Sequence, residues 1–163
     1  MTSSMGRLFD AVSSLLSIRD DVHYEGQAAI ELEMIADRKI KEEYPFYIHK
    51  DELSLVIDPA ETIRGIVYDL SAGIPSPIIS GRFHRTISSL IVKTCERIQS
   101  MKKLSRVVLS GGVFQNIFLL SLVTEGLKHS GFDVYTHHLV PANDGGISLG
   151  QAVIAHMRLF QCV

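Results

Sequence analysis

From Arg106 onward the hydrophobic period alternates between that of a strand and that of a helix, and this alternation constrains the fold more than any other feature of the sequence. Arg106-Val-Val-Leu109-Ser110 predicts a compact buried strand, Phe114 to Lys128 a strongly apolar helix, Gly131-Phe-Asp-Val-Tyr135-Thr136 a second strand, and Gly145 to about His156 a final helix. Strand, helix, strand, helix with short connections implies parallel strands joined by a right-handed crossover. The expected class is α/β.

The residues upstream read as helices and one hairpin. Thr2, Ser3 and Ser4 are candidate caps for a helix with an apolar stripe at Met5, Leu8, Phe9, Val12, Leu15 and Leu16. A second helix is predicted from Glu25-Gly26, with Ala28, Ala29, Leu32, Ile35, Ala36 and Ile40 inward, until Pro45 stops it. Phe46 to His49 and Leu53 to Ile57 flank Lys50-Asp51-Glu52 as a small hairpin. Ile63, Ile66, Val67 and Leu70 have helical spacing, Gly73-Ile-Pro75-Ser-Pro77 breaks the pattern, and a long amphipathic helix follows to about Lys103 along Ile87, Leu90, Ile91, Cys95, Ile98 and Met101.

With about four strands, the expected architecture is a single lobe over residues 1–163, a small mixed sheet with flanking helices. The segment Val113-Phe114-Gln-Asn-Ile117-Phe118-Leu119-Leu120 is apolar on nearly all faces and needs cover on more than one side. The lobe is therefore expected to be cut from a larger protein and to leave apolar surface bare, favouring a homodimer.

Composition narrows the function classes. The 163 residues carry 16 Lys+Arg against 18 Asp+Glu, a formal charge of −2, and the longest basic run is Lys102-Lys103. Phosphate-backbone binding needs clustered cations, so nucleic acid is a poor first guess as partner. Apolar residues make up 46%, and a chain near 150 residues buries roughly 70% of its unfolded surface, so a core is expected and disorder is not. No apolar run approaches the ~20 residues that cross a bilayer, and no basic-then-apolar leader opens the chain, which predicts a cytoplasmic protein without a membrane partner. Cys95 and Cys162 are too few for a disulfide framework or a Cys-rich zinc site. Cys95 reads as a small buried apolar residue.

Two glycine-rich junctions carry the chemistry. In Ser110-Gly111-Gly112-Val113-Phe114-Gln115-Asn116 a strand enters a helix, where glycines allow close approach to backbone and a helix N-terminus offers free N–H groups to a phosphate. Asn116, about one turn inside that helix, is within reach of the same ligand; the alternative is a plain tight turn. The loop lacks the Gly-Lys-Ser/Thr of a Walker sequence and the third glycine of a dinucleotide fingerprint. Pro141-Ala142-Asn143-Asp144-Gly145-Gly146 leaves the next strand, and parallel neighbours put both loops on the carboxyl edge of the sheet, where open α/β folds bind ligands. Asp144 is either a hard oxygen donor for a metal or the N-cap of its helix. His137 and His138, adjacent along a strand, point to opposite faces and cannot easily share an ion. His84 is a phosphate contact or a helix cap, and Glu25-Gly26 either touches a ribose hydroxyl or complements a helix dipole.

Taken together, Thr2-Ser-Ser-Met-Gly-Arg-Leu-Phe-Asp-Ala11, Tyr24-Glu-Gly-Gln-Ala-Ala29, Arg82-Phe-His84, Leu109-Ser-Gly-Gly-Val-Phe-Gln-Asn116 and Pro141-Ala-Asn-Asp-Gly-Gly-Ile-Ser-Leu-Gly-Gln-Ala152 resemble, in this order, the C-terminal end of the hydrogenase maturation carbamoyltransferase family HypF. The Gly-Gly-Val-x-x-Asn core and the Asp are shared with tRNA threonylcarbamoyl transferases, and both families belong to the actin and sugar-kinase (ribonuclease H-like) superfamily. The resemblance implies the second lobe of a carbamoyltransferase domain. In that family carbamoyl phosphate and ATP give carbamoyl adenylate, and the carbamoyl group passes to the C-terminal cysteine of the acceptor HypE. Carried over by position, Gly111, Gly112 and Asn116 hold the adenylate, Glu25 and Gly26 lie near its sugar, and Asp144 is a ligand of a divalent metal, zinc or iron. His84 and Asp10 are the catalytic candidates. Ser3 and Ser4 stand where the tRNA-modifying relatives carry an acid pair.

The family's acylphosphatase-like domain, Cys-rich zinc region, adenylate-forming module and first lobe with paired histidines are not among these residues, and Met1 within a family motif reads as an artificial start. The remaining HypF domains are thus expected partners, and the chain alone is expected to be inactive. Alternatives are a tRNA threonylcarbamoyl transferase lobe, a non-enzymatic docking lobe, and a sugar or acetate kinase lobe.

Overall fold

The computed structural model describes residues 4–51 and 54–161; Thr2 and Ser3 as caps, Leu53 as a strand start and Cys162 as a thiol fall outside them. Helix α1 (Met5–Leu15) follows Ser4 in extended backbone and buries Phe9 and Val12, with Leu16 just beyond its end. Helix α2 (Gln27–Met34) starts after Gly26, whose φ of 78° is left-handed backbone suited to glycine. It ends well short of Pro45. The Asp37 N–H turns away to the Pro77 carbonyl at 2.9 Å and the Asp37 side chain accepts from the Lys39 N–H at 2.9 Å, so local polar bonds outcompete the helix and Ile40 is not on it.

The predicted hairpin is present as β1 (Tyr47–Lys50) and β2 (Leu55–Asp58), antiparallel with Tyr47 opposite Asp58. Helix α3 (Ala60–Ser71) and the long α4 (Ser76–Lys102) follow, α4 admitting Pro77 in its first turn where no backbone donor is needed. The parallel pairing is also as expected. Strand β3 (Arg106–Leu109) lies parallel to β4 (Asp133–Thr136), with Leu109 opposite Thr136 and helix α5 (Ile117–His129) between them in the chain. The four strands divide into two separate pairs, however, and in β3 only Leu109 is buried while Val108 is 68% exposed. Helix α6 (Ile147–Gln161) ends the described chain.

The core lies around the first half of α4. Ile79, Phe83 and Ile87 pack with Phe9 and Val12 of α1, Leu32 of α2, Ile66 of α3, and Leu119, Val123 and Leu127 of α5. The sequence periodicity pointed further along, to Ile98 and Met101, which are exposed. Polar residues mask the buried half: Ser80 donates to the Leu32 carbonyl at 2.6 Å, and Thr86 donates to Arg82 while accepting from the Tyr44 N–H at 2.8 Å. Tyr44 and Arg82 both donate to Asp69, at 2.7 and 2.6 Å, making a partly enclosed ionic knot between α3 and α4. Buried polar groups satisfied in this way cost little and fix a single packing, although the buried Arg82 Nε has no partner among the described residues.

Helix α5 is better covered than its sequence suggested, burying Phe118, Leu119, Leu122, Val123 and Leu127. The bare apolar surface is on α6 instead, where Ile147, Leu149, Val153, Ile154, Met157 and Leu159 are each more than half exposed. Among the described residues no helix is long and apolar enough to cross a membrane.

Gly81 allows α4 to touch the segment after α2: a Cβ there would run into the Asp37 carbonyl oxygen and come within 3.2 Å of the Ile40 Cβ. Gly81→Ala should therefore destabilise by about 1–3 kcal/mol in urea unfolding, as overpacking does. Gly150→Ala, on α6 with open space around it, should be neutral or slightly stabilising.

Candidate functional site

The two glycine-rich loops lie side by side. Parallel pairing of β3 and β4 delivers both chain directions to the same edge, and the Gly111 N–H donates to the Ala142 carbonyl at 2.8 Å, joining one loop to the other. Gly111 has φ 109°, a conformation that a side chain would strain. A Cβ at Gly112 would meet nothing nearer than the Asn143 Cβ at 4.0 Å, so a larger side chain would project into the mouth between the loops.

The helix that accepts the first loop starts later than the sequence suggested. A short 3-10 turn, Gly112–Gln115, intervenes, and Asn116 is the N-cap of α5 rather than a residue one turn inside it. Its Oδ1 accepts from the Leu119 N–H at 2.7 Å. The neighbouring Phe118 N–H donates to Glu33 of α2 at 2.9 Å, and Arg38 stands 3.6 Å from Glu33 with its guanidinium 5.2 Å from the Phe118 ring centre. Two of the free donors of α5 are thus already occupied by side chains, which moves the expected anion contact from the helix end to the Gly112 amide, the Gly111 N–H being held by Ala142. Glu33 gave no local signal, because it acts across 85 residues of chain.

In the second loop the cap is Asn143, whose Oδ1 accepts from the Gly145 N–H at 3.1 Å ahead of the turn Asp144–Gly146. Asp144 is therefore not the cap of this turn. Its exposed carboxylate has no hydrogen bond or ion pair among the described residues, and so is available as a hard oxygen ligand. No group of three or more His, Cys, Asp or Glu placed to hold a metal occurs among the described residues. His137 and His138 lie just past β4 and take different partners, the Ser110 and Thr136 hydroxyls at 3.0 and 3.1 Å.

His84 is fully buried, so as a catalytic candidate it is corrected by its surroundings: it meets no solvent-borne group. Its Nδ1 is 2.8 Å from the Ser80 carbonyl and its Nε2 is 2.8 Å from Asn116 Nδ2, while the rings of Phe9, Phe83 and Phe118 surround it. Asp10, the other candidate, is half-buried on α1 and 3.5 Å from Arg7, a surface ion pair. Glu25 and Gly26 are exposed at the head of α2. Their turn is held on both sides, by Arg19 donating twice to Glu31 at 2.8 and 2.9 Å and by the His23 N–H donating to Gln27 at 2.8 Å. The Arg19 guanidinium holds the Glu31 carboxyl below its usual range. Cys95 is half-buried against the core, and burial pushes its thiol up.

Residues 1–151 match the family described as the second subdomain of the carbamoyltransferase, Kae1-like domain. The chain belongs to the HypF carbamoyltransferase family. It is 36% identical over 152 residues to the carbamoyltransferase HypF of a Synechocystis species, covering 93% of this chain and 19% of that protein, and 33% identical over 161 residues to HypF of Rhodobacter capsulatus, covering 98% and 20%. A crystal structure of full-length HypF in the phosphate- and nucleotide-bound form superposes with a TM-score of 0.92 at 46% identity, over 96% of this chain and 21% of that one. HypF of T. kodakarensis, at 24% identity and a TM-score of 0.81, shares the fold. The chain spans about a fifth of the length of these HypF relatives.

Burial drives the His84 imidazole down from 6.5 to about 4, against the opposing bond to Ser80 and with a smaller push from Arg38. A base depressed in the folded state binds its proton first in the unfolded chain, so stability is complete above about pH 6.5 and declines as the pH falls toward 4. The loss from this group should reach about 3 kcal/mol. His84→Gln, which does not titrate, should flatten that part of the pH profile in chemical denaturation; an unchanged slope would contradict the assignment.

Proposed function

We propose that this chain is one half of a clasp for carbamoyl adenylate, acting in the cytoplasm in transfer of the carbamoyl group to the C-terminal cysteine of HypE. The observation that carries the reading is the Gly111 to Ala142 backbone bond, which sets both family motifs on one open edge. The solved relative in its phosphate- and nucleotide-bound form supports a nucleotide as ligand.

In this reading the adenylate is made from carbamoyl phosphate and ATP elsewhere in the protein. The Gly112 amide, beside the Gly111 N–H that Ala142 holds, meets its phosphate, Asn116 bonds the nucleotide, and Glu25 and Gly26 face its sugar. The acceptor thiol gives its proton to solvent, the thiolate formed attacks the carbamoyl carbon, a C–S bond forms, the C–O bond to the adenylate phosphate breaks and AMP leaves. Asp144 contributes one ligand to a divalent metal, zinc or iron, whose charge would steady the anionic phosphate; the other ligands come from outside these residues. The remaining HypF domains supply the opposite side of the clasp. On its own the chain binds adenine nucleotide weakly and transfers nothing.

The unpartnered apolar face of α6 favours a second reading, a lobe that serves only to dock another domain or HypE. Asp144→Asn, placed in a HypF that carries all its domains, separates the two: carbamoyl transfer should drop at least about 100-fold if the carboxylate holds a metal, and a pure docking role would leave it unchanged. In the 163-residue chain, Gly112→Val should abolish whatever ATP binding calorimetry detects for the wild type. Turnover of carbamoyl phosphate by the isolated chain would overturn the proposal.

A further inference from the structure

Four groups running from the start of α5 into the core form a hydrogen-bonded line whose direction is fixed at both ends. The Leu119 N–H can only donate, so the atom facing it is the Asn116 oxygen, at 2.7 Å. That turns Asn116 Nδ2 toward His84 Nε2, at 2.8 Å, and because an amide nitrogen only donates, Nε2 must be the bare nitrogen of the ring. The ring proton is then on Nδ1, where the Ser80 carbonyl, an acceptor only, receives it at 2.8 Å. Ser80 Oγ, 3.4 Å from Nδ1, is already committed to the Leu32 carbonyl at 2.6 Å. No other proton arrangement satisfies the line with a neutral imidazole.

We infer that His84 is a positioning residue for the nucleotide site: it locks the Asn116 carboxamide so that the second Nδ2 hydrogen is presented to ligand, and the ligand atom met there is a hydrogen-bond acceptor, a hydroxyl or phosphate oxygen. This rests on the clasp proposed above. The spare hydrogen is bonded to nothing among the described residues, and Asn116 is only half-buried while His84 behind it is sealed. Without the imidazole acceptor the amide would lose one of its two anchors and turn about its Cβ–Cγ bond. The wall of Phe9, Phe83 and Phe118 keeps water from replacing the missing acceptor and keeps the ring neutral, the form in which Nε2 can accept.

The test uses the 163-residue chain, labelled with 15N, and ATP added to millimolar concentration. In the wild type the His84 ring should show the Nδ1–H tautomer at pH 7, and ATP should shift the Asn116 side-chain amide signals. His84→Leu should weaken ATP binding at least five-fold and displace those amide signals before ATP is added. His84→Gln, which restores an acceptor near the Nε2 position, should recover most of the affinity although it loses the bond to Ser80. A merely structural role would move thermal stability in both variants without this split in affinity. An Nε2–H tautomer in the wild type, or His84→Leu binding ATP as the wild type does, overturns the inference; the tautomer measurement holds even if a variant fails to fold. Absence of any ATP-induced shift in the wild type overturns the clasp reading and this inference with it, and an intact Nδ1–H tautomer in that experiment would trace the failure to the ligand rather than to the tie.

Discussion

The backbone bond between Gly111 and Ala142 is the constraint on which the site depends. Two strands of four residues, paired among the described residues only with each other, have little means of holding the loops that leave them. The bond converts two independent loops into one edge, and it forms only because the chain at Gly111 enters a region of φ that a glycine tolerates. Asn143 then closes the second turn on itself through the Gly145 N–H. The consequence is chemical: a cap drawn from Asn143 leaves the Asp144 carboxylate unspent.

Beneath that edge the support is polar as well as apolar. Helix α4 carries Ser80, His84 and Thr86 through the most buried part of the molecule, and every one of them is answered by a carbonyl, an amide or a ring nitrogen. An apolar core alone would fill the same space, but it would not specify which way Asn116 faces. Burial and direction are joined at His84, whose two ring nitrogens link the start of α5 to the middle of α4.

Much of this was legible in the sequence because it is written in short-range chemistry. The two parallel strands ahead of the glycine pairs, the hairpin around Asp51 and the Pro-bounded start of α4 depend on neighbours within a few residues, and each is where the pattern put it. The failures share a different cause. The end of α2 is decided by Asp37 meeting Pro77, the start of α5 by Glu33 meeting Phe118, and the depth of His84 by three aromatic rings from α1, α4 and α5. None of these leaves a trace in local periodicity. The inner half of α4 was hidden for the same reason, since Ser, Thr and His read as surface until their partners are known.

Helix α6 carries a consequence of another kind. Every residue from Ile147 to Leu159 is exposed, and the helix is close to the length at which an isolated one barely outweighs its own nucleation cost in water. Its order is therefore conditional: in dilute solution the segment should interconvert between helix and coil within microseconds, and its amides should trade hydrogen for deuterium almost as fast as those of a free peptide, while α4 and α5 stay protected.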